Sequence, residues 1–198
     1  MIRKYKPVLE PMWKSWIIKS NEAILTPEQC KIVMDTGRSL QPEKAKIGMG
    51  SGEKRDDAKS RVTTISWIPF DKLPELYDTL DTFIQKANGN HFGFEDIRIT
   101  ESAQYTEYPP GGFYEWHMDT DVVGKHEPPV RKISMTLLLN DPSEFEGGDL
   151  ELIEENKTAP IQQGHAVCFA SFLRHRVKPV TQGIRKSLVV WFGGAPFK

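Results

Sequence analysis

The sequence predicts an α+β protein, with a sandwich- or barrel-like β core and N-terminal helices packed on one face of it. Three observations support this. From Ile97 onward, short β-branched and aromatic runs recur at regular spacing between turn signals. Ahead of them, two segments carry apolar residues at helical intervals. With 198 residues, 38% of them apolar, the chain has material for one domain with a substantial core and is short for two.

Taken in order, "WKSWIIKSN" opens as a strand. Thr26 then caps a helix, Pro27 suits its first position and Gln29 completes a capping box. That helix runs through "PEQCKIVMDTGRSL" and ends near Pro42. The stretch 43–61, rich in glycine and mixed charge, reads as a surface loop, or alternatively as a lid over a site. "RVTTISWI" alternates as a strand. Leu76, Leu80, Phe83, Ile84 and Ala87 mark an amphipathic helix that closes on Asn88-Gly89. The β texture follows in "IRITESAQYTEY", "FYEWHMD", "KISMTLLLN", "GDLELI", "HAVCFASF", "HRVKPV" and "RKSLVVWFG". Turn signals stand at Pro109-Pro110-Gly111, Asp141-Pro142, Gly147-Gly148, Gln163-Gly164 and Gln182-Gly183.

A net charge of −1 gives no global electrostatic reason to bind nucleic acid or an anionic membrane. No apolar run approaches a membrane span, and the first residues lack the apolar stretch and cleavage site of a secretory signal. The expectation is a soluble cytoplasmic protein of open oligomeric state. Cys30 and Cys168 sit in apolar patterns, as buried reduced thiols do.

The chemistry lies in "FYEWHMDTD". Along a strand, His117 and Asp119 share a face and present an imidazole beside a carboxylate. A metal needs a third ligand, and His165 and His175 are the candidates. Two histidines and a carboxylate on one face of a divalent iron form the facial triad of non-haem oxygenases, and zinc is the competitor for the same residues. Arg185, ten positions after His175, favours iron, because a guanidinium returning towards the metal can grip a small dicarboxylate with two parallel hydrogen bonds. His165 has no such arginine after it and reads as a turn histidine. Asp121, His91 and His126 read as loop residues, and Arg174 and Arg176 as solvated cations or a basic rim. Trp13, Trp16 and Trp67 read as core, with the site mouth as an alternative for Trp67.

Three segments, "YPPGGFYEWHMD", "RKISMTLLLNDPSEFEGGDLEL" and "RHRVKPVTQGIRKSLVVWF", together resemble the Fe(II)/2-oxoglutarate-dependent dioxygenases of the prolyl 4-hydroxylase-like branch, especially small microbial and phage-borne members. The resemblance spans residues 97–193, and "LTPEQCKIV" is similar to that branch's opening helix. It implies a double-stranded β-helix, or jelly roll, within a single domain over 1–198, with helical support at 20–95. It implies Fe(II), 2-oxoglutarate and O2 as cofactors, and ascorbate as an accessory reductant. His117, Asp119 and His175 match the iron ligands, and Arg185 matches the anchor of the cosubstrate's far carboxylate. Tyr108, Trp191 and Leu150 match the pocket walls, which Phe169 extends. One departure stands out: a tyrosine of some family members is Leu138 here, and Thr136, two back on the same face, supplies a hydroxyl instead. The activity implied is hydroxylation of a prolyl residue in a peptide or protein, with release of succinate and CO2. The alternatives are an AlkB-type nucleic-acid demethylase, which would carry further arginines after Arg185, and a non-catalytic metal-binding jelly roll that recognises peptides.

Overall fold

A computed structural model describes residues 15–44, 47–48, 54–55, 60–120, 129–152 and 162–197. Most of 43–61, and the lid reading with it, lies outside these residues, as do Trp13, Asp121 and His126. The chain opens with β1 (Ile17–Lys19) and α1 (Pro27–Ser39), then the short strands β2 (Glu43–Lys44), β3 (Ile47–Gly48), β4 (Lys54–Arg55) and β5 (Arg61–Val62). β6 (Thr64–Ile68) leads into α2 (Pro74–Ala87), followed by β7 (Arg98–Ile99), β8 (Ala103–Tyr108), β9 (Phe113–His117) and β10 (Val130–Leu138). β11 (Phe145–Gly147), β12 (Leu150–Leu152), β13 (Ala166–Ala170), β14 (His175–Val177), β15 (Val180–Gly183) and β16 (Arg185–Gly194) complete the chain.

Thr26 caps α1 as its sequence indicates. Its hydroxyl accepts from the Gln29 N–H at 3.2 Å, and its own N–H donates to Gln29 Oε1 at 2.9 Å. α2 buries Leu76, Leu80, Ile84 and Ala87. It does not stop at Gly89: a wide turn continues through Asn88–Phe92, and Gly93 takes the left-handed conformation at φ 71°. The Asn88 side chain sets that stop, accepting from the Phe94 N–H and donating to the Phe94 carbonyl.

The major sheet runs β1-β13-β10-β16-β8-β6-β2, with β7 paired to the end of β16, and the minor sheet runs β12-β14-β9-β5. Their pairings are antiparallel, and the two sheets face each other as a jelly roll. Register sorts the side chains. Arg185 lies opposite Tyr108, Ser187 opposite Thr106, and Val189 between Gln104 and Thr136. Those residues look towards the minor sheet, whose Leu150, Leu152 and Val177 form one apolar cluster with Val167 and Phe169 of β13 and Val180 of β15. The alternate residues Leu188, Val190 and Phe192 look the other way and join Cys30, Val33 and Leu80 under the helices. Cys30 and Cys168 are both free and buried, and burial pushes their thiols up, Cys30 to about 11. No helix among the described residues is long and apolar enough to cross a membrane.

Three predicted strands are broken in two. "RVTTISWI" divides at Thr63: Arg61–Val62 pairs with β9 in the minor sheet, and Thr64–Ile68 pairs with β8 in the major one. The Thr63 hydroxyl donates to the Glu107 carbonyl at 2.6 Å and fixes that corner. "IRITESAQYTEY" gives β7 and β8, and "HRVKPV" breaks at Pro179, which has no N–H for a ladder.

At Gly37, α1 packs closely on β8. A Cβ there would lie 2.4 Å from the Tyr105 ring, which is buried and whose hydroxyl is held by Glu107. Helix propensity alone would make Gly37→Ala stabilising by about 1 kcal/mol. Overpacking against a held ring costs about 1–3 kcal/mol and wins. Thermal denaturation of Gly37→Ala is therefore expected to show a lower Tm than the parent, and a raised Tm would mean that the Tyr105 ring yields.

Candidate active site

β9 and β14 are antiparallel neighbours, and their register sets His117 directly opposite His175. The two imidazole centres are 4.1 Å apart. Strand alternation does not deliver Asp119, because β9 ends at His117. Instead the Asp119 and Thr120 N–H groups both donate to the Ser171 carbonyl, at 2.9 and 3.1 Å. That anchor brings the carboxylate to 3.7 Å from His117 Nε2 and 3.6 Å from His175 Nε2. One ligand atom from each of the three residues lies within 4.8 Å of the other two.

Each member of the trio is oriented by a further hydrogen bond. His117 Nδ1 is 2.7 Å from the Glu115 carbonyl, and His175 Nδ1 is 3.0 Å from the Leu173 carbonyl. A carbonyl only accepts, so Nδ1 carries the proton and each Nε2 turns a lone pair inward, as a metal-ligating imidazole must. Ser134 Oγ donates to Asp119 Oδ2 at 2.6 Å and lies 3.0 Å from the Ser171 hydroxyl. Burial, reinforced by His175, pushes His117 down to about 3, so it is neutral at neutral pH. Burial would raise Asp119, but the two imidazoles and the Ser134 hydroxyl outweigh it and hold the carboxyl below its ordinary range. Two imidazoles and one carboxylate fit a divalent transition metal.

A cavity of about 400 Å³ opens beside the trio. Tyr108, Thr136, Leu150 and Trp191, all singled out in the sequence, line it together with Phe169. Trp67 lines it as well. Arg185 is 3% exposed, with its guanidinium 5.6 Å from the Tyr108 ring centre and Nη1 donating to Ser187 Oγ at 3.1 Å. Burial lowers its pKa, and among the described residues it forms no ion pair with a carboxylate. Gly148 makes room for its stem: a Cβ there would sit 2.8 Å from Arg185 Cδ, on a backbone at φ +68°.

His165 lies outside the metal-ligand group. Its Nδ1 is 3.2 Å from the Ser20 carbonyl, which ties the end of β1 to the start of β13. Leu138 is buried opposite Ser187. Arg174 is exposed, whereas Arg176 pairs with Glu151 at 2.6 Å and lies over the Trp116 ring. Sequence reasoning missed Ser134, Ser171 and Tyr114, whose ring stacks on His117 at 3.5 Å. Ser134 was within reach, being two residues from Thr136 on the same face. Ser171 offered no local signal, because it acts through its backbone.

Residues 103–193 match the 2OG-Fe(II) oxygenase superfamily. Fold and donor set agree with that match, and the chemistry of that superfamily uses Fe(II), 2-oxoglutarate and O2. A PKHD-type hydroxylase of Colwellia psychrerythraea is 34% identical over 123 residues, covering 59% of this chain and 55% of that protein. The chain spans about half the length of the curated relatives it matches. Among solved structures, the viral collagen prolyl hydroxylase of Paramecium Bursaria Chlorella virus-1, in its 2OG complex, aligns with TM-score 0.72 at 18% identity, over 91% of this chain and 97% of that one. A prolyl hydroxylase from Trichoplax adhaerens, in complex with a hypoxia inducible factor oxygen degradation domain peptide fragment, aligns with TM-score 0.67 at 21% identity, over 90% and 83%. These two likenesses concern the fold.

Two expectations follow. Ser134→Ala removes the hydroxyl that orients Asp119 and should weaken divalent-metal binding about 10–100-fold, measured by anaerobic titration calorimetry with Fe(II). An unchanged affinity would mean the carboxylate is held without it. The metal-free chain should also lose stability on acidification. The unfolded state protonates His117 near the ordinary value of 6.5, whereas the folded state refuses that proton until about 3. Protons therefore favour unfolding across that window. Urea midpoints should fall from pH 7 to pH 4, and fall less in His117→Gln.

Proposed function

We propose that the chain is an Fe(II)- and 2-oxoglutarate-dependent hydroxylase acting on a prolyl residue of a peptide or protein. One observation carries this reading: a buried arginine without a carboxylate partner shares the inner face of β16 with two residues of the cavity that the trio borders, Val189 and Trp191. A structural metal site has no use for such a cation. A dicarboxylate cosubstrate needs one.

Each residue then has a role. His117, Asp119 and His175 would hold Fe(II). Bound there with 2-oxoglutarate, Fe(II) supplies the oxidising chemistry that hydroxylates a C–H bond and releases succinate and CO2. Arg185 receives the far carboxylate through parallel N–H donors, with Ser187 steadying one of its nitrogens. Tyr108 covers the guanidinium, and the Thr136 hydroxyl stands on the same inner face. Leu150, Phe169 and Trp191 keep water away from the reacting centre.

A prolyl substrate is supported by the PKHD-type and prolyl hydroxylase relatives, one of which was solved with a peptide. The nucleic-acid alternative has less behind it. The net charge is −1, and no second arginine follows Arg185 in "KSLVVWFGG".

Succinate release, scored with proline-rich peptides and with methylated oligonucleotides, separates the two readings; stimulation by the oligonucleotide alone would overturn the prolyl one. Arg185→Leu should weaken 2-oxoglutarate binding at least about tenfold, the scale of losing hydrogen bonds to a charged group. The readout is the visible charge-transfer band of the anaerobic Fe(II) complex. A variant that binds 2-oxoglutarate like the parent removes Arg185 from this role.

A further inference from the structure

The turn that follows β13 carries Asp119, because the Ser171 carbonyl accepts from both the Asp119 and the Thr120 N–H. The Ser171 N–H in turn donates to the Lys132 carbonyl on β10 at 2.9 Å, and the Leu173 N–H closes the turn on the Ala170 carbonyl at 2.9 Å. Where Asp119 stands therefore depends on what holds Ser171. Two supports do so, and both lead away from the cavity.

The first is Lys132. The register of β10 against β16 shifts between Arg131 and Ile133, so Lys132 is the extra residue of a bulge. In an unbroken strand it would share a face with Ser134. The bulge instead puts Arg131 on the cavity wall with Ser134 and leaves Lys132 off it. The Lys132 ammonium stands 3.3 Å from the centre of the Phe197 ring and 5.9 Å from that of Phe94. Among the described residues it forms no ion pair with a carboxylate, and burial lowers its pKa. Its charge is stabilised by ring faces, whose negative potential attracts a cation.

The second support is Phe172, next to Ser171 in the chain. Its ring meets Trp16 at 5.8 Å and Phe197 at 5.9 Å, and Phe94 meets the same two rings at 5.6 and 6.1 Å. The four rings close a circuit drawn from the approach to β1, the loop after α2, the turn after β13 and the residues after β16. Trp16 is 40% exposed and Phe197 38%, so the circuit lies at the surface. None of its rings, nor Lys132, lines the cavity.

We propose that this aromatic circuit is a clasp that positions Asp119. It grips Ser171 from two sides, through Phe172 along the chain and through Lys132 across the ladder, and the Ser171 carbonyl passes that grip to the metal ligand. The same stretch of β10 carries Ser134, whose hydroxyl meets both Asp119 and Ser171, so a loosened Lys132 releases the carboxylate at two points. That role rests on the trio holding Fe(II), as proposed above, and extends the site to positioning residues that lie off the cavity wall. Groups that orient a metal's ligands without touching the metal govern its affinity.

Phe197→Ala tests the clasp at a surface position, outside both apolar clusters of the core. Anaerobic titration calorimetry with Fe(II) should show about a tenfold loss of affinity, the lower end of what removing an orienting partner costs. Phe197→Tyr keeps the ring face and should bind Fe(II) like the parent. Lys132→Met keeps the stem, removes the charge and should repeat the loss. Because both residues belong to one device, the double variant should lose no more than either alone. The Tm of each metal-free chain is measured alongside. Parent-like Fe(II) affinity in Phe197→Ala, whatever its Tm, makes the rings a structural cover and overturns the clasp, as does an equal loss of affinity in Phe197→Tyr. A parent chain that binds no Fe(II) overturns the metal-dependent reading itself, an outcome separate from both.

Discussion

The pairing of His117 with His175 across β9 and β14 is the constraint on which the site depends. A slip of one residue in that register would turn one imidazole to the outer face of the minor sheet, because side chains alternate along a strand. What fixes the register is apolar. β14 pairs on its other side with β12, so that Leu152 opposes His175 and Leu150 opposes Val177. Leu150, Leu152 and Val177 are buried between the sheets, while Glu151 and Arg176, one step out of phase, pair on the outer face. Burying three such side chains contributes about 1.5–3 kcal/mol each, and the slipped register would expose all of them. The metal-ligand geometry is thus held by residues with no chemistry of their own.

The same economy appears in β16. One set of alternate residues, Leu188, Val190 and Phe192, is fully buried against the helices. The other set, Arg185, Ser187, Val189 and Trp191, faces the minor sheet and the cavity. Desolvating an arginine is unfavourable, and it is tolerated here because the strand beneath it is anchored from behind. Polar residues on the inner faces of β8 and β10, namely Gln104, Thr106, Ser134 and Thr136, continue the pattern, with apolar partners at the alternate positions.

Alternation is also why much of this was legible in the sequence. Period-2 patterns mark β8, β10 and β16, and a capping box marks α1 to the residue. The chemically unusual side chains, His117, Asp119, His175 and Arg185, stand out because packing gives no reason for them. What escaped was everything made by the backbone after folding. The corner at Thr63 divides one continuous β pattern between two sheets, and no local propensity marks where the chain changes sheet. Asp119 comes to its place through the Ser171 carbonyl, a group every residue has. The helix stop moved from Gly89 to Gly93 because the Asn88 side chain could hold a wider turn.

Charge beside the trio and on the inner face of β16 gives these residues a common logic. Asp119 and Arg185 contribute one anion and one cation, Asp119 just after β9 and Arg185 on β16, and form no ion pair with each other. A divalent metal bound alone would add two uncompensated positive charges in a place from which water is largely excluded. A dicarboxylate bound alone would add two negative ones. Bound together they cancel, with the metal beside Asp119 and the far carboxylate beside Arg185. Because interactions between buried charges are only weakly screened, each ligand strengthens the site for the other. The separation of Arg185 from Asp119 is therefore itself functional: an arginine close enough to neutralise the carboxylate directly would remove the reason for either ligand to enter.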